Sequence, residues 1–167
     1  EHRDSMGNGR VLEAGDLQYM SAGRGVVHSE FNPSQTEGSH FLQIWIVPEA
    51  KGLEPRYAER RFGRGSGGGA ELLLSREGRD ASIAIRQDVD LYRVRLEPGE
   101  GWTQRTGGPG RGRWLFMLEG ELAALGERLG PADSLALAGG SALELHNPGA
   151  GRAELLLFDL PLAEPGG

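Results

Sequence analysis

Short hydrophobic stretches recur along the chain at intervals of roughly 8 to 12 residues, with turn-forming residues between them. The turns are rich in glycine, proline, asparagine and aspartate, as in Glu97-Pro98-Gly99 and Asn147-Pro148-Gly149. This pattern predicts an all-β protein, and only residues 54–61 weakly favour a helical turn. The predicted strands are Arg10–Glu13, Leu17–Ser21, Val26–Asn32, His40–Val47, Glu71–Leu74, Ser82–Arg86, Leu91–Leu96, Arg113–Leu118, Glu121–Ala124, Ser134–Ala138, Leu143–His146 and Ala153–Asp159.

Two segments of the chain are similar to each other. "GRVLEAGDLQYMSAGRGVVHSE" near the start parallels "GERLGPADSLALAGGSALELHN" near the end. Each has a turn with an aspartate (Asp16, Asp133), a short strand, an Ala-Gly pair, and a strand that reaches a histidine (His28, His146). The second copy is preceded by predicted strands that have no counterpart before the first copy. We therefore expect two related domains, with the chain beginning partway through the first.

The division between the domains is predicted from the glycine-rich stretch "GRGSGGG". Residues 1–62 are the remainder of the first domain and a connector, and residues 63–70 are the linker. Residues 71–160 form the second domain, and residues 161–167 are a tail.

Composition excludes several kinds of function. The chain has 167 residues, 28 glycines and no cysteine, so it holds neither a disulfide, nor a thiolate nucleophile, nor a sulfur-ligated metal. A formal net charge of −6 argues against nucleic acid as a partner. No apolar run reaches the roughly 18 residues that span a bilayer, and a cytoplasmic location without membrane contact is expected.

The candidate chemistry lies in His28-Ser29-Glu30. Residues two apart on a strand point to the same side, so His28 and Glu30 can reach one ion while Ser29 points away. An imidazole with a carboxylate suits several divalent metals. From these residues alone, a partial metal site and a polar strand end exposed to water both remain open.

The segment "EHRDSMGN" and the following "GDLQYMSAGRGVVHSEFNPSQTEGSHFLQIWIVPEAKGLEPRYAERRF" resemble the pirin family, which are two-domain cupins. The resemblance implies two cupin double-stranded β-helix barrels, the N-terminal one incomplete in this chain. In that family the first cupin binds one metal through an early His-x-His pair and a later His-x-Glu pair. His28 and Glu30 match the later pair, whereas no residue of this sequence matches the early one.

The resemblance also implies a function. Bacterial pirins include quercetin 2,3-dioxygenases, which open the ring of a flavonol with dioxygen. The implied cofactor is one divalent metal, first Fe(II), with Ni, Cu, Mn or Zn as alternatives. Glu30 would be both a ligand and the catalytic acceptor of a substrate proton. The alternatives are a non-catalytic regulatory protein that binds a metal or a partner, and a truncated inactive member that forms a homodimer through unpaired cupin strands.

Several other residues allow two interpretations. His2 and His40 are expected to be solvated or hydrogen-bonded, with recruitment to the metal as the alternative. Four large side chains are expected to pack in a core, with a pocket wall as the alternative: Tyr19, Met20, Phe31 and Trp45.

The remaining motifs are expected to be structural. His146 stands without other potential ligands, so the second domain is expected to be free of metal. "PRYAERRF" is predicted to be a salt-bridged connector rather than a protein-binding surface. Gly23 and Gly25 are expected to allow tight backbone turns, either at the site or in an ordinary hairpin.

Overall fold

The computed structural model describes residues 1–62, 68–105, 108 and 110–162. The chain forms two compact units, residues 1–65 and residues 66–167. The first unit contains β1 (His2–Asp4), β2 (Gly9–Arg10), β3 (Asp16–Ser21), β4 (His28–Glu30) and β5 (Arg56–Arg61). The second contains β6 (Gly69–Ser75), β7 (Ile83–Ala84), β8 (Asp90–Leu96), β9 (Gly101–Gln104), β10 (Arg111–Glu119), β11 (Leu122–Ala124), β12 (Glu127–Leu129), β13 (Ser134–Ala138), β14 (Leu143–His146) and β15 (Ala153–Pro161), with one 3-10 turn at Arg79–Ala81.

The second unit is built from two β-sheets that enclose an apolar core. One sheet has the strand order β13-β10-β15-β8-β6-β7 and the other has the order β12-β11-β14-β9. Alternate residues of both sheets supply the core, for example Leu115 and Leu157 from the first sheet and Leu143 from the second, all of them fully buried. The alternation of buried and exposed positions follows from the two-residue period of a strand. The all-β prediction is therefore confirmed.

The first unit has a smaller apolar interior. Its strands form a three-stranded sheet with the order β2-β1-β4 and a separate pair of β3 with β5. Of residues 1–62, only His2 and Phe62 are buried as whole residues, with exposures of 1% and 9%. Hydrophobic burial is the main stabilising term in folding. A hydrophobic core therefore contributes little to the stability of this unit.

Several secondary-structure predictions for the first unit were wrong. Of the predicted strand Arg10–Glu13, only Arg10 lies in a strand. Residues 40–47, predicted as a strand, pair with no described strand and are largely exposed, with Trp45 at 87%. The hydrophobic pattern of residues 40–47 favours an extended backbone, but a strand also needs a neighbouring strand for its hydrogen bonds. Residues 54–61 weakly favour a helical turn by sequence, but Arg56–Arg61 form β5 because β3 lies beside them as an antiparallel partner.

The internal repeat is visible in the turns. The Asp16 carboxylate accepts a hydrogen bond from the Glu13 amide at 3.0 Å, and the Asp16 amide donates to the Glu13 carbonyl at 2.9 Å. In the second unit, Asp133 makes the same two bonds with Gly130, at 2.8 and 3.0 Å. The pairing of β1 with β2 and β4 likewise matches that of β11 with β12 and β14. Both copies therefore use an aspartate to close the turn before the third repeat strand.

The predicted linker and tail fall mainly on residues 63–67 and 163–167, which lie outside the described residues. Within the described ranges, no helix is long and apolar enough to cross a lipid bilayer.

Gly23 sits at a position that requires glycine. Its φ is +52°, and a Cβ atom there would overlap the backbone carbonyl of Leu53. Leu53 lies just before β5 and Gly23 just after β3, so this close approach brings the two paired strands together. The expected structural role of Gly23 therefore has a specific basis, the contact between two backbone segments.

We expect Gly23→Ala to destabilise the β3–β5 pair by about 1–3 kcal/mol, since it adds both a strained φ and a backbone clash. Amide hydrogen exchange of β3 and β5 measures the effect, which should be faster exchange in the variant. Gly38→Ala is the control, because Gly38 has open space around it and no positive φ. Equal exchange rates in the two variants would contradict this account.

Candidate metal centre

The pairing of β1 with β4 brings the predicted ligands together with a residue from the start of the chain. The antiparallel register places His2 opposite Glu30 and Asp4 opposite His28. Directly opposed residues share one face of a sheet, and so do residues two apart on one strand. All four side chains therefore lie on the same face of the three-stranded sheet.

Three of these side chains converge. The potential ligand atoms of His2, His28 and Glu30 all lie within 4.8 Å of one another. The His2 and His28 rings meet edge to face with centroids 5.6 Å apart. His2 is only 1% exposed, whereas His28 and Glu30 lie at the surface. The cluster therefore has one buried member and two that solvent reaches.

Asp4 determines which nitrogen of His2 carries the proton. Desolvation alone would raise the pKa of the Asp4 carboxyl, but hydrogen bonds from Asn8, His2 and the backbone of Met6 outweigh it and lower the pKa to about 2. The ionised carboxylate can only accept, and its Oδ2 lies 3.1 Å from His2 Nε2. Nε2 therefore carries the proton in neutral His2, and Nδ1 keeps a lone pair that can accept a hydrogen bond or bind a metal ion.

Gln18 on β3 bridges two of the potential ligands. Its amide nitrogen lies 3.1 Å from His2 Nδ1 and 2.8 Å from Glu30 Oε1. Those two acceptor atoms are themselves only 3.4 Å apart. An electron-rich pair at that distance calls for a hydrogen-bond donor or a cation between them, and the Gln18 amide supplies the donor.

Tyr57 on β5 forms the other side of the His2 environment. Its ring stacks on His2 at 4.9 Å between centroids, with 22° between the planes. Its hydroxyl donates to Glu59 Oε2 at 3.0 Å. Burial, followed by the hydrogen bond and charge of Glu59, raises the Tyr57 pKa, so the hydroxyl stays protonated. The stacking and the bond to Asp4 together hold the His2 ring in place.

The sequence identified His28 and Glu30 as a pair, and the strand geometry supports their common orientation. It left His2 as a less favoured alternative, and it missed Asp4, Gln18 and Tyr57. The alternation of side chains along β3 and β5 could have indicated Gln18 and Tyr57, but the sequence of residues 54–61 favours a helical turn. No sequence pattern pointed to Asp4, because its position at the site depends on the pairing of β1 with β4.

Other candidates lie apart from the cluster. His40 is exposed and belongs to the unpaired residues 40–47. Phe31 and Trp45 are exposed as well, so the expectation of core packing was wrong for these two, while Tyr19 and Met20 are half-buried. In the second unit, exposed His146 has its Nδ1 3.2 Å from the Glu100 carbonyl oxygen.

"PRYAERRF" carries ion pairs, as expected. Arg61 contacts Glu13 at 3.2 Å and Asp16 at 3.3 Å, and Glu59 pairs with Arg10. These pairs join β5 to the turn before β3 and to β2.

Two family profiles match the chain. The profile described as Pirin matches residues 1–46, and that of the quercetinase C-terminal cupin domain matches residues 72–160. The quercetin 2,3-dioxygenase of Escherichia coli K12 is 42% identical over 161 residues, which are 96% of this chain and 68% of that protein. A putative quercetin 2,3-dioxygenase of Pasteurella multocida is 40% identical and is covered to 67% of its length.

Solved structures agree with these matches. The crystal structure of YhhW from Escherichia coli superposes with a TM-score of 0.90 at 40% identity, covering 98% of this chain and 68% of that one. The structure of bacterial pirin YhhW from the same organism in complex with nickel(II) gives 0.89 at 40% identity, with the same coverage.

Fold and site together define a cupin with a candidate metal centre in its first unit. The chain belongs to the pirin family.

The donor set of the first unit fits a metal ion. Two imidazoles and one carboxylate are a common ligand set for iron and other transition metals. Metal-binding histidines usually donate their other ring N–H to a carboxylate, which is what His2 does with Asp4.

We expect Asp4→Asn to weaken Ni(II) binding about 10- to 100-fold, because the asparagine no longer selects the His2 tautomer. Isothermal titration of the purified chain with Ni(II) measures this. Glu13→Gln is the control, since Glu13 is an exposed acid of the same unit that pairs with Arg61. Unchanged affinity in Asp4→Asn would show that Asp4 does not orient a ligand.

Proposed function

We propose that the first unit binds one divalent metal and that the loaded protein is an oxidoreductase acting on a flavonol with dioxygen. His28 and Glu30 are the proposed ligands from β4, and His2 is the third. The observation that carries the proposal is the convergence of these three side chains within 4.8 Å. Relatives named quercetin 2,3-dioxygenase support the choice of substrate class.

Fe(II) is the proposed native metal. Two histidines and one carboxylate with open positions are the ligand set of non-haem Fe(II) oxygenases. Nickel is the first alternative, because a solved relative is a nickel(II) complex. Copper, manganese and zinc accept the same ligand types.

The residues of the chain have separate roles in this proposal. When bound, the metal would act as a Lewis acid that makes a substrate hydroxyl more acidic. Glu30, with a side chain that is about one-third exposed, accepts the hydroxyl proton as the general base. Asp4 and Tyr57 hold the His2 ring, and Gln18 donates to Glu30.

A second candidate function is partner binding, with another copy of the chain as the partner. The observation that favours it is the apolar run of residues 41–47, in which Phe41, Trp45 and Val47 are largely exposed. The run contains no charged residue that would oppose pairing with an identical strand. A homodimer formed through these residues would satisfy their backbone groups.

For the oxidoreductase proposal, we expect the wild-type chain to hold about one metal ion after loading with Fe(II) or Ni(II), because the three ligands form one site. Elemental analysis should show that His28→Ala loses this metal. The loaded wild type should consume oxygen when quercetin is added, and His28→Ala should not. His40→Ala is the control, since His40 lies outside the cluster.

Metal binding without quercetin-dependent oxygen uptake would contradict the enzymatic part of the proposal and leave a metal-binding protein. A wild-type chain that takes up no metal would contradict both parts.

For the homodimer, we expect Trp45→Glu to reduce the dimer fraction measured by analytical ultracentrifugation, since paired strands would bring the introduced charges close together. Val27→Glu is the control, because Val27 is equally apolar and exposed but lies outside residues 41–47. A monomeric wild type, or equal effects of both changes, would contradict this candidate.

A further inference from the structure

A polar row of residues crosses the inner face of the second unit's larger sheet. The strand registers place Asp90 opposite Asp159, Asp159 opposite Arg113, and Arg113 opposite Leu137. The neighbouring row, two residues further along each strand, is apolar and consists of Tyr92, Leu157, Leu115 and Leu135. Because residues two apart share a face, the polar row points to the same side as the core.

Arg113 is buried in this row, and most of its hydrogen-bond donors have no partner in the part of the chain that the structure describes. It is 3% exposed, and its Nη2 donates to the Gly139 carbonyl at 2.7 Å. Its Nε and Nη1 are buried and have no partner among the described residues.

The two neighbouring carboxylates, Asp159 and Asp90, already accept hydrogen bonds from other arginines. Asp159 accepts from Arg111 Nε at 2.6 Å, and Asp90 accepts from Arg79 Nη1 at 2.8 Å. Within the described part of the chain, Arg113 therefore has no carboxylate partner. A buried guanidinium without an anion is costly, so an anion from outside would be bound favourably at this position.

Gln104 indicates that such an anion also carries a hydrogen-bond donor. It lies on β9 of the opposite sheet, is 7% exposed, and donates from Nε2 to Asp159 Oδ2 at 3.2 Å. That bond fixes the orientation of the amide, and its Oε1 is left buried with no partner among the described residues. This acceptor needs a donor, which a hydroxyl group on the anion supplies and chloride does not have.

Two half-buried aromatic side chains lie next to this position. Tyr92 belongs to the adjacent row, and Trp102 is two residues from Gln104 on β9. Their rings are 6.4 Å apart, and both pack against the core. They supply apolar contact for the carbon skeleton of a small ligand.

We propose that this end of the second unit binds a small hydroxycarboxylate. Arg113 Nε and Nη1 donate to the carboxylate, and Gln104 Oε1 accepts from the ligand hydroxyl. The site lies in the second unit, and it does not depend on the metal centre proposed for the first.

The test uses the full chain in chloride-free buffer and titrates it calorimetrically with lactate, propionate and lactamide. We expect lactate to bind and propionate to bind about tenfold more weakly, because propionate leaves Gln104 Oε1 unpaired. Lactamide should not bind, since it has no charge for Arg113.

Arg113→Met should abolish lactate binding while the unfolding temperature of the ligand-free chain stays equal or rises, because the variant removes an unpaired buried charge. Arg128→Met is the control, since Arg128 is an exposed arginine of the same unit with a 3.4 Å contact to Glu121. It should bind lactate as the wild type does.

Lactate binding that survives in Arg113→Met would overturn the proposal. So would equal binding of lactate and propionate, saturation by chloride alone, or no binding of lactate to the wild type. If Arg113→Met fails to fold, the proposal is tested instead by NMR on wild-type chain labelled with [15N]arginine. Lactate should then shift the Nε–H signal of a buried arginine, and propionate should shift it less at the same concentration.

Discussion

The backbone pairing of β1 with β4 is the interaction on which the candidate metal centre depends. β4 alone presents His28 and Glu30 on one face, but two side chains give only part of a coordination sphere. β1 adds His2 directly opposite Glu30 and Asp4 opposite His28. A shift of this register by one residue would turn His2 and Asp4 to the other face of the sheet and remove both from the site.

The two units derive their stability from different sources. In the second unit, leucines from both sheets are fully buried against each other, so its strands are held by a common core. In the first unit, His2 and Phe62 are the only residues among 1–62 that are buried as whole residues, and ion pairs and hydrogen bonds connect the strands. Exposed ion pairs contribute little to stability, about 0–1 kcal/mol each. The unit with the candidate metal centre therefore has more to gain from a bound ion, because an ion that binds only the folded state stabilises it.

Buried polar side chains have different partners in the two units. His2 is buried, yet both of its ring nitrogens have partners, Asp4 and Gln18. Arg113 is buried, and its Nε and Nη1 have no partner among the described residues. Gln104 faces the same interior, and within that part of the chain its Oε1 has no partner either. A fully paired polar side chain is explained by its neighbours, whereas an unpaired one needs a further partner, for which we propose a ligand here. The polar row of the second unit was not visible as a motif, because Asp90, Arg113 and Asp159 come from three different strands.

The sequence by itself determined the all-β class, the positions of most strands in the second unit, the pirin resemblance, and the pairing of His28 with Glu30. These depend on local patterns, namely strand periodicity, turn chemistry and the spacing of two residues on one strand. Tertiary structure alone decided that residues 40–47 pair with no described strand, that residues 56–61 form a strand, and that His2, Gln18 and Tyr57 meet at the site. The physical reason is that backbone pairing and side-chain convergence depend on which segments become neighbours. Contacts such as Tyr57 with His2 join residues far apart in the chain, and no local pattern encodes them.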